Sequence, residues 1–289
     1  MKMSRPSFVR WSRVILFAIA CALVAVLARG EEKKKDDKKE TPKVLLISPF
    51  SVIGGKPNTL RIRGLKLAEA IEVHVEAAGV PIPATIKEKG KVEPIKPFDA
   101  AKTGDTRIVL ELNMPEGIAA TELSIVVVTK AGNTEPRPVL VLNAATTIEE
   151  KEPNGGFREA QEIKWGQTLR GTISDSSDVD VFKFQAKSGQ RIVAEVDAAR
   201  HGSPLDSLLT LYDDKGHELA SNDDSEVGAD SILQFKIPSD GVYLLCLSDA
   251  NGVGSEAHGY LLHLRDASAT TQESRQDRKD IKTTEEKRK

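Results

Sequence analysis

The feature that most constrains this chain is its succession of short β-branched runs. Apolar and polar residues alternate in "TLRIRG", "IEVHVEA", "RIVLELN" and "LSIVVVT", and again in "VFKFQ", "RIVAEV", "LLTLYDD", "LQFKIP", "VYLLCLS" and "GYLLHL". Gly, Pro, Asn and Asp separate these runs. A period of two sends successive side chains to opposite faces, which suits half-buried strands. No segment sustains the helical period; "LKLAEAIEV" comes nearest and is short. Many short strands with regular turns predict an all-β chain built of antiparallel β-sandwiches. The 289 residues suffice for two of them. The rhythm breaks at "TTIEEKEPNGG", near residue 148. The expected units are therefore residues 43–146 and 147–265.

Both ends fall outside this rhythm. Arg5, Arg10 and Arg13 precede the apolar run "VILFAIACALVAVLA", residues 14–28. A basic segment, a short apolar run and then small residues predict a secretory signal over residues 1–30, cleaved after Ala28 or Gly30. The run is short for a membrane span, which needs about 20 residues, so no stable span is expected after cleavage. An uncleaved anchor and a lipidated Cys21 are the alternatives. Residues 31–42 and 266–289 are mixed-charge blocks poor in apolar residues, expected to be solvated tethers.

Charge and cysteine content narrow the function. The formal net charge is −2, so no global field recruits nucleic acid. Aromatics make up 4% of the chain, too few for base-stacking platforms or broad sugar-binding surfaces. Removing the signal leaves Cys246 as the sole cysteine, so no intrachain disulfide can form despite an oxidising destination. Its place in "GVYLLCLSD" predicts a buried structural thiol.

The stretch "EEKEPNGGF", residues 149–157, sets a run of oxygen-bearing side chains just ahead of the second unit. In an extended segment Glu150, Glu152 and Asn154 share one side. In "SSDVDVFKFQ" the core-facing row of Phe184 and Phe182 extends back to Asp180 and then Asp178. Two carboxylates on an inward row repel each other and need a counter-charge. A hard cation between the two sets would supply it; calcium takes six to eight oxygen ligands. Otherwise the glutamates are linker charges, Asn154 starts a turn, and the aspartates cap the strand or meet a lysine. A second acidic group, Asn222, Asp223 and Asp224, is open to the same two readings. Asp213, Asp214 and Gly216 read as a hairpin turn.

Two family resemblances add to this. Residues 43–143, with "SPFSVIGGKPNTLRIRG" and the later "MPEGIAATELSIVVVTKAG", resemble an immunoglobulin-like domain of the IPT/TIG type. That resemblance implies a spacer or protein-contact module. The segment "EKGKVEPIKPFDAAKTGD" is a longer polar insertion than the pattern predicts. Residues 150–265 resemble the bacterial pre-peptidase C-terminal (PPC) domain, a jelly-roll-like sandwich, through "EPNGGFREAQEI", "GQTLRGTISDSSDVDVFKF", "GSPLDSLLTLYDDKGHELASNDD" and "IPSDGVYLLCLSD". Some members of that family bind calcium through an acidic linker and an Asp pair. The resemblance implies Glu150, Glu152, Asn154, Asp178 and Asp180 as the ligands, with Gly155 standing where an aspartate is usual.

Catalytic signatures are missing. His74, His201, His217, His258 and His263 form no HExxH; "GHELA" lacks the second histidine. There is no GxSxG elbow and no phosphate loop. His263, between Leu262 and Leu264, reads as solvent-facing. The expectation is a secreted or periplasmic, non-catalytic binding or adhesion protein, docking to extracellular polymer, a cell surface or a protein partner. The alternatives are an accessory or chaperone-like partner of a separately encoded secreted enzyme, and a cryptic hydrolase.

Overall fold

Alternation becomes strand throughout. The computed structural model describes residues 41–117, 119–226 and 228–267. The signal, Cys21 and nearly all of both charged tethers lie outside the described residues. "LKLAEAIEV" feeds a strand, Ala70–Ala77, not a helix. Its valines, Val73 and Val75, are buried, while His74 between them is exposed.

The first sandwich pairs two sheets. One runs β1 (Lys43–Ser48), β3 (Pro57–Leu65), β7 (Thr106–Asn113) and β6 (Ala84–Lys91). The other runs β2 (Ser51–Ile53), β10 (Arg137–Leu142), β8 (Glu122–Thr129), β4 (Ala70–Ala77) and β5 (Val80–Pro81), with β9 (Gly132–Asn133) on β8. Leu60, Ile62, Ile108 and Leu110 of the first sheet meet Val75, Ile125 and Val127 of the second in one core. Such facing rows supply most of a sandwich's stability. In the "IGG" turn only Gly55 takes a positive φ, +69°; Gly54 does not.

The second sandwich repeats the plan. One sheet runs β11 (Thr147–Glu149), β13 (Thr168–Thr172), β20 (Gly259–Asp266), β15 (Arg191–Asp197) and β18 (Ile232–Lys236). The other runs β12 (Gln161–Glu162), β14 (Asp180–Ala186), β19 (Gly241–Asp249), β16 (Ser207–Asp213) and β17 (Glu218–Asn222). Phe182, Phe184, Leu245 and Leu247 pack against Tyr260, Leu262 and Leu264. The β16–β17 hairpin closes through Asp213, whose Oδ1 accepts from the amides of Lys215 and His217, with Gly216 at φ +83°.

A four-residue turn joins the sandwiches. The amides of Thr146 and Thr147 both donate to the Asn143 carbonyl, and Asn143 Oδ1 accepts from the Ala145 amide. The two bodies also dock side by side. Glu256, in the β19–β20 loop, faces Arg61 (3.2 Å), Arg63 (3.6 Å) and Arg107 (3.4 Å) of the first sandwich. Arg170 of β13 donates to the Ser51 carbonyl at 3.1 Å, and Phe50 stacks on His201 with centroids 5.1 Å apart.

The polar insertion has a structural part in this docking. Its start completes β6, and the rest carries one short helix, α1 (Ala100–Thr103), capped by Asp99. Ile95 and Phe98 cluster with Leu45 and Leu46 against Ala257 of the second sandwich. Arg63 fixes the insertion by donating to the carbonyls of Glu93 and Thr103.

Candidate metal centre

Strand pairing delivers the acidic run to the sandwich edge. β11 lies parallel to β13, with Glu149 opposite Arg170, and the Glu150 amide adds one more bond to the Arg170 carbonyl. Glu150 is thereby held beside β13, where its Oε2 accepts from the Thr172 amide at 2.8 Å. The chain then folds back. The Asn154 amide donates to Glu152 Oε2 at 3.1 Å, and Asn154 Nδ2 donates to Glu150 Oε1 at 3.0 Å. The Asn154 carbonyl accepts from the Val181 amide, which sets the segment against the start of β14.

Asp180 meets this group from the other sheet. It opens β14, on the inward row of Phe182 and Phe184, and is fully buried. Its Oδ2 accepts from the Tyr260 hydroxyl at 2.6 Å. Glu150, Glu152 and Asp180 each bring a carboxylate oxygen within 4.8 Å of the others. Asn154 is also fully buried, and two oxygens of the group, Asn154 Oδ1 and Asp180 Oδ1, have no hydrogen-bond partner. Buried acceptors without partners are rare in folded proteins; each calls for a bound water or ion, and the carboxylate alone can instead take a proton.

Asp178 stands apart from these four. β14 begins at Asp180, so Asp178 lies in the preceding turn and off the strand row. Its Oδ2 accepts from the Ser174 amide at 2.5 Å. It adds negative charge near Glu152 and Asp180 without joining the group of three. Gly155, at the position of the missing aspartate, backs onto the Val179 carbonyl, where a Cβ would stand 3.3 Å away.

Two contributors are invisible to local sequence patterns. Tyr260 reaches Asp180 from β20, across the core. Gly171, opposite Tyr260 in the β13–β20 ladder, leaves the room. A Cβ there would stand 2.3 Å from the Tyr260 hydroxyl and 2.8 Å from Glu150 Oε2.

The electrostatics match the crowding. Burial, then the Glu150 carboxyl beside it, pushes Asp180 up to about 10. Burial also raises Glu152, assisted by the charges of Glu150, Asp178 and Asp175. Tyr260 is driven well above its ordinary value by burial and by Asp180. Burial and the neighbouring carboxylates favour a protonated Asp180 when no cation is bound. With one, three carboxylates and the Asn154 amide oxygen offer an all-oxygen set suited to a hard divalent ion.

The second acidic group is arranged differently. Asn222 Oδ1 accepts from the Ile232 amide, and Asp223 and Asp224 lend their charge to the surroundings of Asp206. Neither belongs to a three-ligand group among the described residues. His263 is not freely solvated: its Nδ1 lies 3.1 Å from Thr168 Oγ1 and its Nε2 3.2 Å from Asp197 Oδ2.

Residues 178–249 match the bacterial pre-peptidase C-terminal domain family. The matched span runs from the turn before β14 to the end of β19, so this PPC segment contains Asp180 and not the 150–154 run. A probable subtilase-type serine protease of Deinococcus radiodurans is 41% identical over 120 residues, which is 40% of this chain and 16% of the protease. The match therefore spans only a small part of that relative. Among solved structures, the pre-peptidase C-terminal domain of a Bacillus anthracis collagenase is 20% identical, over 40% of this chain and all of that one, with a TM-score of 0.31. A periplasmic inhibitor of g-type lysozyme from Aeromonas hydrophila is 16% identical, over 42% of this chain and 96% of its own, with a TM-score of 0.26. Likenesses this distant bear on neither ligand nor partner. No helix among the described residues is long and apolar enough to cross a membrane.

Proposed function

We propose that this chain is an exported, non-catalytic binding protein whose PPC-type sandwich is closed by a calcium ion. The first sandwich serves as a spacer or protein-contact module of the IPT/TIG type. Glu150, Glu152, Asn154 and Asp180 hold the ion, and Asp178 adds charge at the rim. The observation that carries the reading is the pair of buried, partnerless oxygens, Asn154 Oδ1 and Asp180 Oδ1, in one acidic cluster. By bridging the linker and the start of β14, the ion would pin the run that follows the inter-sandwich turn. It would stabilise the fold by mass action. The bound target is an extracellular polymer, a cell surface or a protein. The serine protease relative, matched over a small part of its length, keeps open a partnership with a separate secreted enzyme.

Among the described residues, a candidate for the hydrolase reading is the row Thr168–His263–Asp197. It lies within the β13–β20–β15 ladder, whose amides are committed to strand pairing. Acyl transfer needs donors aimed at a developing oxyanion, and a saturated ladder has none to offer.

Thermal unfolding in EDTA and across a calcium series, with magnesium as control, tests the proposal. A calcium-specific rise in Tm that Glu152→Ala and Asp180→Ala both remove supports it. No shift at millimolar calcium returns "EEKEPNGG" to a solvated linker.

A further inference from the structure

The β19–β20 loop sends three consecutive residues into the first sandwich. Glu256 enters the Arg61, Arg63 and Arg107 group, Ala257 joins Leu46 and Ile95, and His258 stacks on Phe98 with ring centroids 6.5 Å apart. His258 is fully buried. Its Nδ1 lies 2.8 Å from Ser255 Oγ, and its Nε2 has no partner. A neutral imidazole tolerates this position, since one nitrogen is satisfied and the ring face is covered. An imidazolium does not: it would bring a desolvated charge and a second N–H donor with nothing to receive it.

The charged groups around the ring do not remedy this. Asp249, at the end of β19, attracts a proton to it, and so does the Ser255 backbone. Glu256, in the same loop, is already shared among three guanidinium groups. Lys102 of α1 lies over the Phe98 ring at 5.6 Å and disfavours a second cation nearby. Burial outweighs Asp249 and Ser255 and holds His258 below its ordinary value of 6.5.

We propose that the 255–258 loop is an acid-released joint, in which protonation of His258 parts the two sandwiches while each remains folded. The sign follows from linkage. In the parted form the ring meets water and returns towards 6.5, so that form binds more protons between the depressed value and 6.5. Docking is fully favoured above 6.5 and weakens as pH falls through this window. Each unit separating the two values multiplies the parted fraction by up to about tenfold. Parting uncovers Leu46, Ile95 and Phe98, an apolar patch that Arg61 and Arg107 rim with positive charge.

Small-angle scattering on the full chain, from about pH 8 to about pH 5 at constant ionic strength, tests the joint. Excess EDTA keeps the cation cluster out of the comparison, and far-UV circular dichroism is recorded in parallel. The expected result is a larger radius of gyration below 6.5 with an unchanged spectrum, absent in His258→Phe. Should that variant fail to fold, His258→Gln, polar and without a titrating ring, takes its place. A wild-type chain that stays compact throughout overturns the proposal. So does a non-titrating variant that expands at the same pH, or an expansion that coincides with loss of the β spectrum.

Discussion

Tyr260 donates its phenolic hydrogen to Asp180 Oδ2 at 2.6 Å, and both residues are buried in the second sandwich. One bond so placed divides the work of the carboxyl. Oδ2 is fixed to β20, and Oδ1 remains without a hydrogen-bond partner. The same tyrosine is anchored over Gly171, where only hydrogen fits, which brings Glu150 to the other side of that gap.

Asparagine has the shape of a protonated aspartate and no charge. Asp180→Asn is therefore expected to leave stability in EDTA within about 1 kcal/mol of wild type while removing the calcium-dependent rise in Tm. Asp180→Ala behaves differently, because it strands the Tyr260 hydroxyl and costs about 1–3 kcal/mol even without calcium. Paired melting curves of the two variants check this, and an Asn variant that still responds to calcium would remove Asp180 from the ligand set.

Gly171→Ala places a methyl group against the Tyr260 hydroxyl and Glu150 Oε2. Relief requires moving one of them. The expected loss is about 1–3 kcal/mol from overpacking, with a weakened calcium response, measurable by urea unfolding with and without the ion. An unchanged midpoint would show that the β13–β20 ladder yields more easily than its register suggests.

Glu256→Gln keeps the side-chain shape and removes the charge that three arginines share. Because Glu256 is about one-third exposed, solvent screening limits the loss to roughly 1–2 kcal/mol. Chemical denaturation reads it, with Glu69→Gln as control. That residue sits 3.8 Å from Lys130 with both side chains largely exposed, and its substitution should change nothing measurable.

Burial pushes the Cys246 thiol up to about 11. At pH 8 roughly one thiol in a thousand is ionised, so iodoacetamide should modify the native chain far more slowly than the unfolded one. Equal rates would mean that the outer face of β19 opens readily.

Period-two patterns carried most of the fold. "VFKFQ" and "VYLLCLS" each encode which residues face inwards, because neighbours along one strand suffice to set the two faces. The row Phe184, Phe182 and Asp180 follows from the same rule, and it breaks at Asp178 because the strand ends there and the Ser174 amide captures the carboxylate. Tyr260 and Gly171 were illegible for the opposite reason. Their partnership with Asp180 and Glu150 depends on pairing between β13 and β20, far apart in sequence. Ile95 and Phe98 are isolated apolar residues in a polar segment, without a period to announce that they dock on a second body. His263 alternates as an outward residue, yet Thr168 and Asp197 on the flanking strands enclose it.

The Asn143 turn between the sandwiches has a kinetic consequence. A link this short keeps two parted bodies at a local concentration in the millimolar range or above. Reassociation is then unimolecular and indifferent to dilution. Contacts too weak to unite two separate proteins can still hold these two together, and a small chemical change in one loop is enough to tip the balance reversibly.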